Sequence, residues 1–217
     1  MSFPGSLATP RPGPGPGDLR IGPEQARRRL VLLHGWGADA DDLLELGLEL
    51  VDGEVEVVAL RAPGRHPAGT GREWYPLAPE PDWASLPAAL QGLRERLGQL
   101  AESLPLEQTV LLGFSQGGAM AVDVATSAAG LPLAGLICCS GYPHPGWQPS
   151  ATGLPVLLTH GSLDTVVPAE ACSALEDLLR QAGAQVTCQL FAGGHGIDPQ
   201  LFPLMRRFLG QAWGSEA

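Results

Sequence analysis

Leu111-Leu112-Gly113-Phe114-Ser115-Gln116-Gly117-Gly118 decides the reading of this chain. An apolar run from Thr109 feeds a serine with glycine at both second neighbours, and a helix-like segment, Ser115–Ala128, follows. A strand that ends, turns sharply and starts a helix holds such a serine with its hydroxyl exposed in a strained conformation. Side chains at the glycine positions would collide in so tight a turn. A hydroxyl is a poor nucleophile unaided, so the turn demands a base and an orienting carboxylate elsewhere.

Further short apolar runs predict strands at Arg29–Leu33, Val55–Leu60, Thr109–Gly113, Gly135–Cys139, Val156–His160 and Val186–Phe191. Their Val- and Leu-rich continuity is that of strands buried on both faces. Helical patterns lie between them, at Ala40–Leu50, Leu86–Ser103, Pro168–Ala182 and Pro199–Trp213. Leu90, Leu93, Leu97, Leu100 and Leu104 form one apolar stripe at helical spacing. The alternation predicts an α/β fold with a mostly parallel central sheet and helices on both faces. Chemistry then belongs on loops at the carboxyl ends of the strands.

Two such exits answer the serine. Val156-Leu157-Leu158-Thr159-His160 runs into a loop holding Asp164, and Ala192-Gly193-Gly194-His195 sets a histidine among glycines. The order Ser115, Asp164, His195 is that of α/β-hydrolases rather than of chymotrypsin or subtilisin. His195 is the expected base, and Asp164 the group that holds its tautomer. A tetrahedral oxyanion needs donors, and position offers the N–H groups of Gln116 and of Trp36, on the glycine-rich loop His34-Gly35-Trp36-Gly37. His34 and His160 read as structural hydrogen-bonding residues. His66 and His144 read as exposed loop residues, and Asp198 as a helix N-cap before Pro199.

At 217 residues the chain suits one domain, and 44% hydrophobic content supplies a sizeable core. Residues 1–28 read as a Pro/Gly-rich lead-in, mobile at least to residue 17, and 29–217 as a single domain. A net charge of -10, from 13 basic and 23 acidic residues, argues against nucleic-acid partners. Arg27-Arg28-Arg29 reads as a solvated flank. No apolar stretch suits stable membrane insertion. Cys138, Cys139, Cys172 and Cys188 lack metal-type spacing and read as free thiols in a reduced, cytoplasmic setting.

The stretches 33–39 (LHGWGAD), 61–63 (RAP), 74–75 (WY), 113–119 (GFSQGGA), 160–168 (HGSLDTVVP) and 193–197 (GGHGI) resemble the phospholipase/carboxylesterase family of α/β-hydrolases. That family includes acyl-protein thioesterases and small bacterial carboxylesterases. The resemblance implies an α/β-hydrolase fold, a Ser115–Asp164–His195 triad, and the N–H groups of Trp36 and Gln116 as oxyanion hole, while the chain is too short for a large inserted cap domain. It also implies no metal and no organic cofactor. Residues 61–83 resemble the bacterial members more than the eukaryotic thioesterases. The expected substrate is a small acyl ester of short to medium chain length, on a groove of Trp36, Trp74, Tyr75 and Leu77, with Trp147 a further candidate. A thioesterase or lysophospholipase on longer chains is the alternative, and a silent binding protein the reading from another class. The exposed loop expected around Trp74 and Tyr75 leaves a homodimer open.

Overall fold

Strand side chains alternate between faces, so an apolar run with no polar face must be covered on both sides. The computed structural model, which describes residues 10–128, 130–150 and 153–214, shows how. The chain runs β1 (Arg11–Pro12), β2 (Leu19–Ile21), β3 (Arg29–Leu33), α1 (Leu44–Leu50), β4 (Glu56–Leu60), β5 (Gly64–Arg65), β6 (Arg72–Glu73) and α2 (Leu86–Ala101). It continues β7 (Thr109–Phe114), α3 (Gln116–Thr126), β8 (Gly135–Cys139), β9 (Pro155–Gly161), α4 (Glu170–Gln181), β10 (Gln185–Phe191) and α5 (Phe202–Ala212). Eight strands form one sheet in the order β1-β2-β4-β3-β7-β8-β9-β10. From β4 to β10 every pair is parallel, while β1 and β2 join antiparallel at one edge.

Two apolar layers follow from the alternation. Val31 and Leu33 of β3 pack with α2, α3 and α4 through Leu93, Leu97, Met120 and Leu175. Leu30 and Leu32 face the other way, toward α1 and α5, with Leu50, Met205, Phe208 and Leu209. Helix α3 is buried along its whole length, and its polar residues Gln116, Asp123 and Thr126 each find a hydrogen-bond partner there. Among the described residues no helix is long and apolar enough to cross a membrane.

The sheet begins before residue 29, which corrects the lead-in reading for the described residues 10–28; residues 1–9 lie outside the description. Leu19–Ile21 pairs with Val57–Ala59 of β4. Asp18 is buried, accepts hydrogen bonds from Gly15 N (2.6 Å) and Arg61 N (2.7 Å), and forms an ion pair with Arg96. A buried carboxylate met by these donors fastens the segment to the domain.

Arg29 departs from the solvated-flank reading. It is 1% exposed, sits opposite Glu56 on the adjacent strand, and donates from Nε to Glu56 Oε2 at 2.6 Å. Its other nitrogens reach the Leu100 and Leu104 carbonyls and Ser103 Oγ, pinning the end of α2 to the sheet. Glu56→Gln keeps an acceptor but removes the charge, and should cost about 2 kcal/mol of stability, read from the urea midpoint.

Candidate active site

Ser115 stands between the last residue of β7 and the first of α3, with φ 54° and ψ −119°. Its N–H donates to Cys139 O at 2.9 Å, which fixes the turn against β8. Two glycines make the approach of the flanking segments possible. A Cβ on Gly113 would lie 2.3 Å from Gly117 O, and one on Gly117 would lie 2.2 Å from Leu33 O. The end of β3, the end of β7 and the start of α3 therefore meet backbone to backbone, and Ser115 sits at their junction.

The parallel register brings the exits of β9 and β10 to the same sheet edge, with Phe191 opposite Gly161. Ser115 Oγ lies 2.9 Å from His195 Nε2, and His195 Nδ1 lies 2.7 Å from Asp164 Oδ2. The carboxylate only accepts, so Nδ1 carries the proton and Nε2 is left to accept from the Ser115 hydroxyl. Asp164 Oδ1 takes the Val166 and Val167 amides at 2.8 and 2.9 Å. Burial alone would raise the Asp164 pKa, but the hydrogen bonds from His195, Val167 and Val166 outweigh it and hold the carboxyl below its ordinary value. Phe114 packs on the His195 ring, with centroids 4.9 Å apart. Such a chain can move a proton from hydroxyl to imidazole while the carboxylate stabilises the resulting charge.

The loop after β3 reaches Ser115 from the other side. A Cβ on Gly35 would lie 3.5 Å from Ser115 Cβ. His34 accepts from Ala62 N at its Nε2 (3.1 Å), so its Nδ1 donates to Gly35 O (2.8 Å), and burial keeps its pKa low. His160 donates from Nε2 to Val167 O at 2.9 Å, steadying the strand exit that carries Asp164. Both histidines hold backbone groups, and His160 Nε2 also lies 3.4 Å from Asp164 Oδ2. Asp198 accepts from Gln200 N at 2.8 Å, the expected N-cap. Gln116 opens α3, so its N–H has no carbonyl four residues back to bond. Its side chain holds the long loop: Oε1 accepts from Trp74 N at 2.9 Å and Nε2 donates to Tyr75 O at 2.7 Å.

A cavity of about 530 Å³ opens above Ser115 and His195. Trp36, Leu77, Trp83, Phe114, Tyr142 and Val167 wall it, and among the described residues no Asp, Glu, Lys or Arg lines it. Trp36 is anchored by its indole N–H on Glu73 Oε2 at 2.7 Å. Trp36 and Leu77 lie where the sequence reading expects a groove. Trp83, Tyr142 and the Val166–Pro168 turn were not legible as walls, although Phe114 and that turn sit beside Ser115 and Asp164 in the sequence.

Trp74, Tyr75 and Trp147 are corrections, since all three belong to the core. Trp74 is 3% exposed and donates its indole N–H to His34 O at 2.9 Å. The Tyr75 hydroxyl bonds Tyr142 OH at 2.7 Å and His144 Nε2 at 3.0 Å, and His144 Nδ1 bonds Asp123 Oδ2 at 3.1 Å. His144 is therefore buried within this polar chain rather than exposed. Trp74 and Tyr75 are therefore turned inward rather than exposed on the loop that carries them. Tyr75→Phe removes two hydrogen bonds behind the wall and should cost about 1–2 kcal/mol of stability while leaving KM unchanged, by thermal denaturation and steady-state kinetics.

The sequence profile described as phospholipase/carboxylesterase matches residues 21–212. The solved structure of esterase PE8 superposes with a TM-score of 0.80 at 30% identity, over 89% of this chain and 97% of that one. The Bacillus cereus carboxylesterase gives 0.80 at 24% identity, over 90% and 93%. Esterase YpfH of Escherichia coli K12 is 26% identical over 80% of this chain and 78% of its own length. Acyl-protein thioesterase 1 of Eremothecium gossypii is 33% identical over 48% of this chain, a match that spans only 47% of that protein. With the parallel sheet, the absence of a cap among the described residues and the matched span of residues, the chain belongs to the phospholipase/carboxylesterase family of α/β-hydrolases, a family of ester-hydrolysing enzymes.

Proposed function

We propose that this protein is a serine carboxylic-ester hydrolase acting through an acyl-enzyme on short- to medium-chain acyl esters. The observation that carries the reading is the unbroken hydrogen-bond chain Ser115–His195–Asp164 on the floor of an uncharged, largely apolar cavity. Ser115 Oγ attacks the acyl carbonyl as His195 Nε2 takes its proton. The tetrahedral oxyanion forms beside the N–H groups of Trp36 and Gln116, which act as its donors. His195 then gives the proton to the departing alcohol, leaving an acyl-Ser115 ester. Water, deprotonated by the same imidazole, releases the acid and restores the serine.

An apolar wall without a cation favours neutral acyl groups and offers nothing to balance a substrate carboxylate. Thioester cleavage on longer chains is the second reading, favoured by the acyl-protein thioesterase relative. A chain-length series decides between them. Activity on p-nitrophenyl esters should peak between butyrate and octanoate and exceed that on matched thioesters. A steep rise toward laurate and palmitate thioesters would put the thioesterase reading first. A fluorophosphonate probe should label Ser115, whereas an inert serine would return the silent binding protein.

A further inference from the structure

Two cysteines outside the site lie in contact. Cys172, buried in the first turn of α4, has its Sγ 3.3 Å from that of Cys188, which is partly exposed on β10. Strand alternation turns Cys188 and Val186 toward the layer that holds α4, where Leu175 and Leu179 cover them. No group intervenes between the two sulfurs. Cys138 and Cys139 differ: they are wholly buried, and they neighbour one another on β8, so their side chains point to opposite faces.

We propose that Cys172 and Cys188 form a reversible intramolecular disulfide when the protein meets a hydroperoxide. Cys188 is the more exposed residue of the two, so it reacts first. Its sulfur attacks one oxygen of hydrogen peroxide, the O–O bond breaks, and Cys188 becomes a sulfenic acid while one water leaves. The Cys172 sulfur then attacks the Cys188 sulfur. The S–O bond breaks, the thiol hydrogen leaves in a second water, and the S–S bond forms. Two thiols are oxidised by two electrons and the peroxide is reduced by two. The hydrogen bond between the sulfurs favours this order, because Cys172 S–H lowers the pKa of Cys188 by stabilising its thiolate. Burial pushes the Cys139 thiol up to about 12 and keeps it, with Cys138, protonated and inert.

The bridge would join the segment that follows Asp164 to the strand that leads to His195. It fastens α4 to β10 and so holds together the two exits on which the acid and the base depend.

The full chain, treated with hydrogen peroxide, alkylated and digested without reductant, tests this by mass spectrometry. A Cys172-peptide joined to a Cys188-peptide, released by dithiothreitol, is the expected product, with Cys138 and Cys139 recovered alkylated or unmodified. The unfolding midpoint should rise on oxidation, and neither Cys172→Ser nor Cys188→Ser should show that rise. In Cys172→Ser, Cys188 should proceed to sulfinic acid for want of a partner. The proposal is overturned if wild-type Cys188 accumulates sulfinic acid while Cys172 stays alkylatable. It is also overturned if Cys188 bridges two molecules, or if both cysteines are unchanged by peroxide.

Discussion

Ser115→Ala should lower kcat/KM for p-nitrophenyl butyrate by on the order of 10⁵-fold, with the circular dichroism spectrum and unfolding midpoint unchanged. Alanine keeps the Cβ that the φ of 54° must tolerate, so the variant removes the hydroxyl without relieving or adding backbone strain. His195→Ala should lose a comparable factor, because the proposed nucleophile, base and carboxylate would act as a unit. The double variant should be no worse than either single one. Asp164→Asn should fall by about 10⁴-fold, since an amide can offer His195 Nδ1 an N–H and select the wrong tautomer. Ser115→Gly separates the turn from the chemistry: it is as inactive as alanine but more stable by about 1 kcal/mol, because glycine accepts a positive φ freely. Retention of most activity in Ser115→Ala would falsify the assignment of the nucleophile.

Gly117→Ala should destabilise the protein by about 3 kcal/mol and also lower kcat. The added methyl would sit 2.2 Å from Leu33 O and 2.5 Å from His34 O, and neither carbonyl belongs to a flexible side chain. Something must give, and what gives carries Gly35 and Trp36, the proposed donor loop. Stability and rate should fall together, since one displacement causes both. Gly210→Ala is the control. It lies in α5 with nothing within 4 Å of the added Cβ, so it should leave activity alone and raise stability by about 0.5–1 kcal/mol. Equal, small effects at both glycines would mean that the junction accommodates a methyl, against the packing described.

The parallel strands were legible because a strand covered on both faces has no choice but to be apolar throughout. The run 29–33 is observed with the expected bounds, and 135–139 likewise. Ser115, Asp164 and His195 were legible because each follows such a run, and parallel strands deliver their exits to one edge. The N-terminal strands were not. Leu19–Ile21 is too short to show a period, and what fastens it is Asp18, whose partners Arg61 and Arg96 are remote in sequence. Loop aromatics failed for a related reason. Periodicity assigns a face to helix and strand residues but none to Trp74 or Trp83. Trp74 turns inward because its indole N–H finds the His34 carbonyl, while Trp83 stays on the cavity wall. Arg29 looked solvated within a basic run, and only the neighbouring strand reveals Glu56 beside it.

Among the described residues strand β10 has a hydrogen-bonded neighbour on one side alone, β9, and it leads into the segment that bears His195. Ser115, by contrast, follows a strand gripped from both sides. The proposed base thus hangs from the margin of the sheet while the proposed nucleophile is set in its middle. As the protein frays on warming, amide exchange should advance from that margin inward, and catalysis should fade before the fold does. An enzyme so arranged would be silenced first by losing its base and could recover by simply re-zipping one strand.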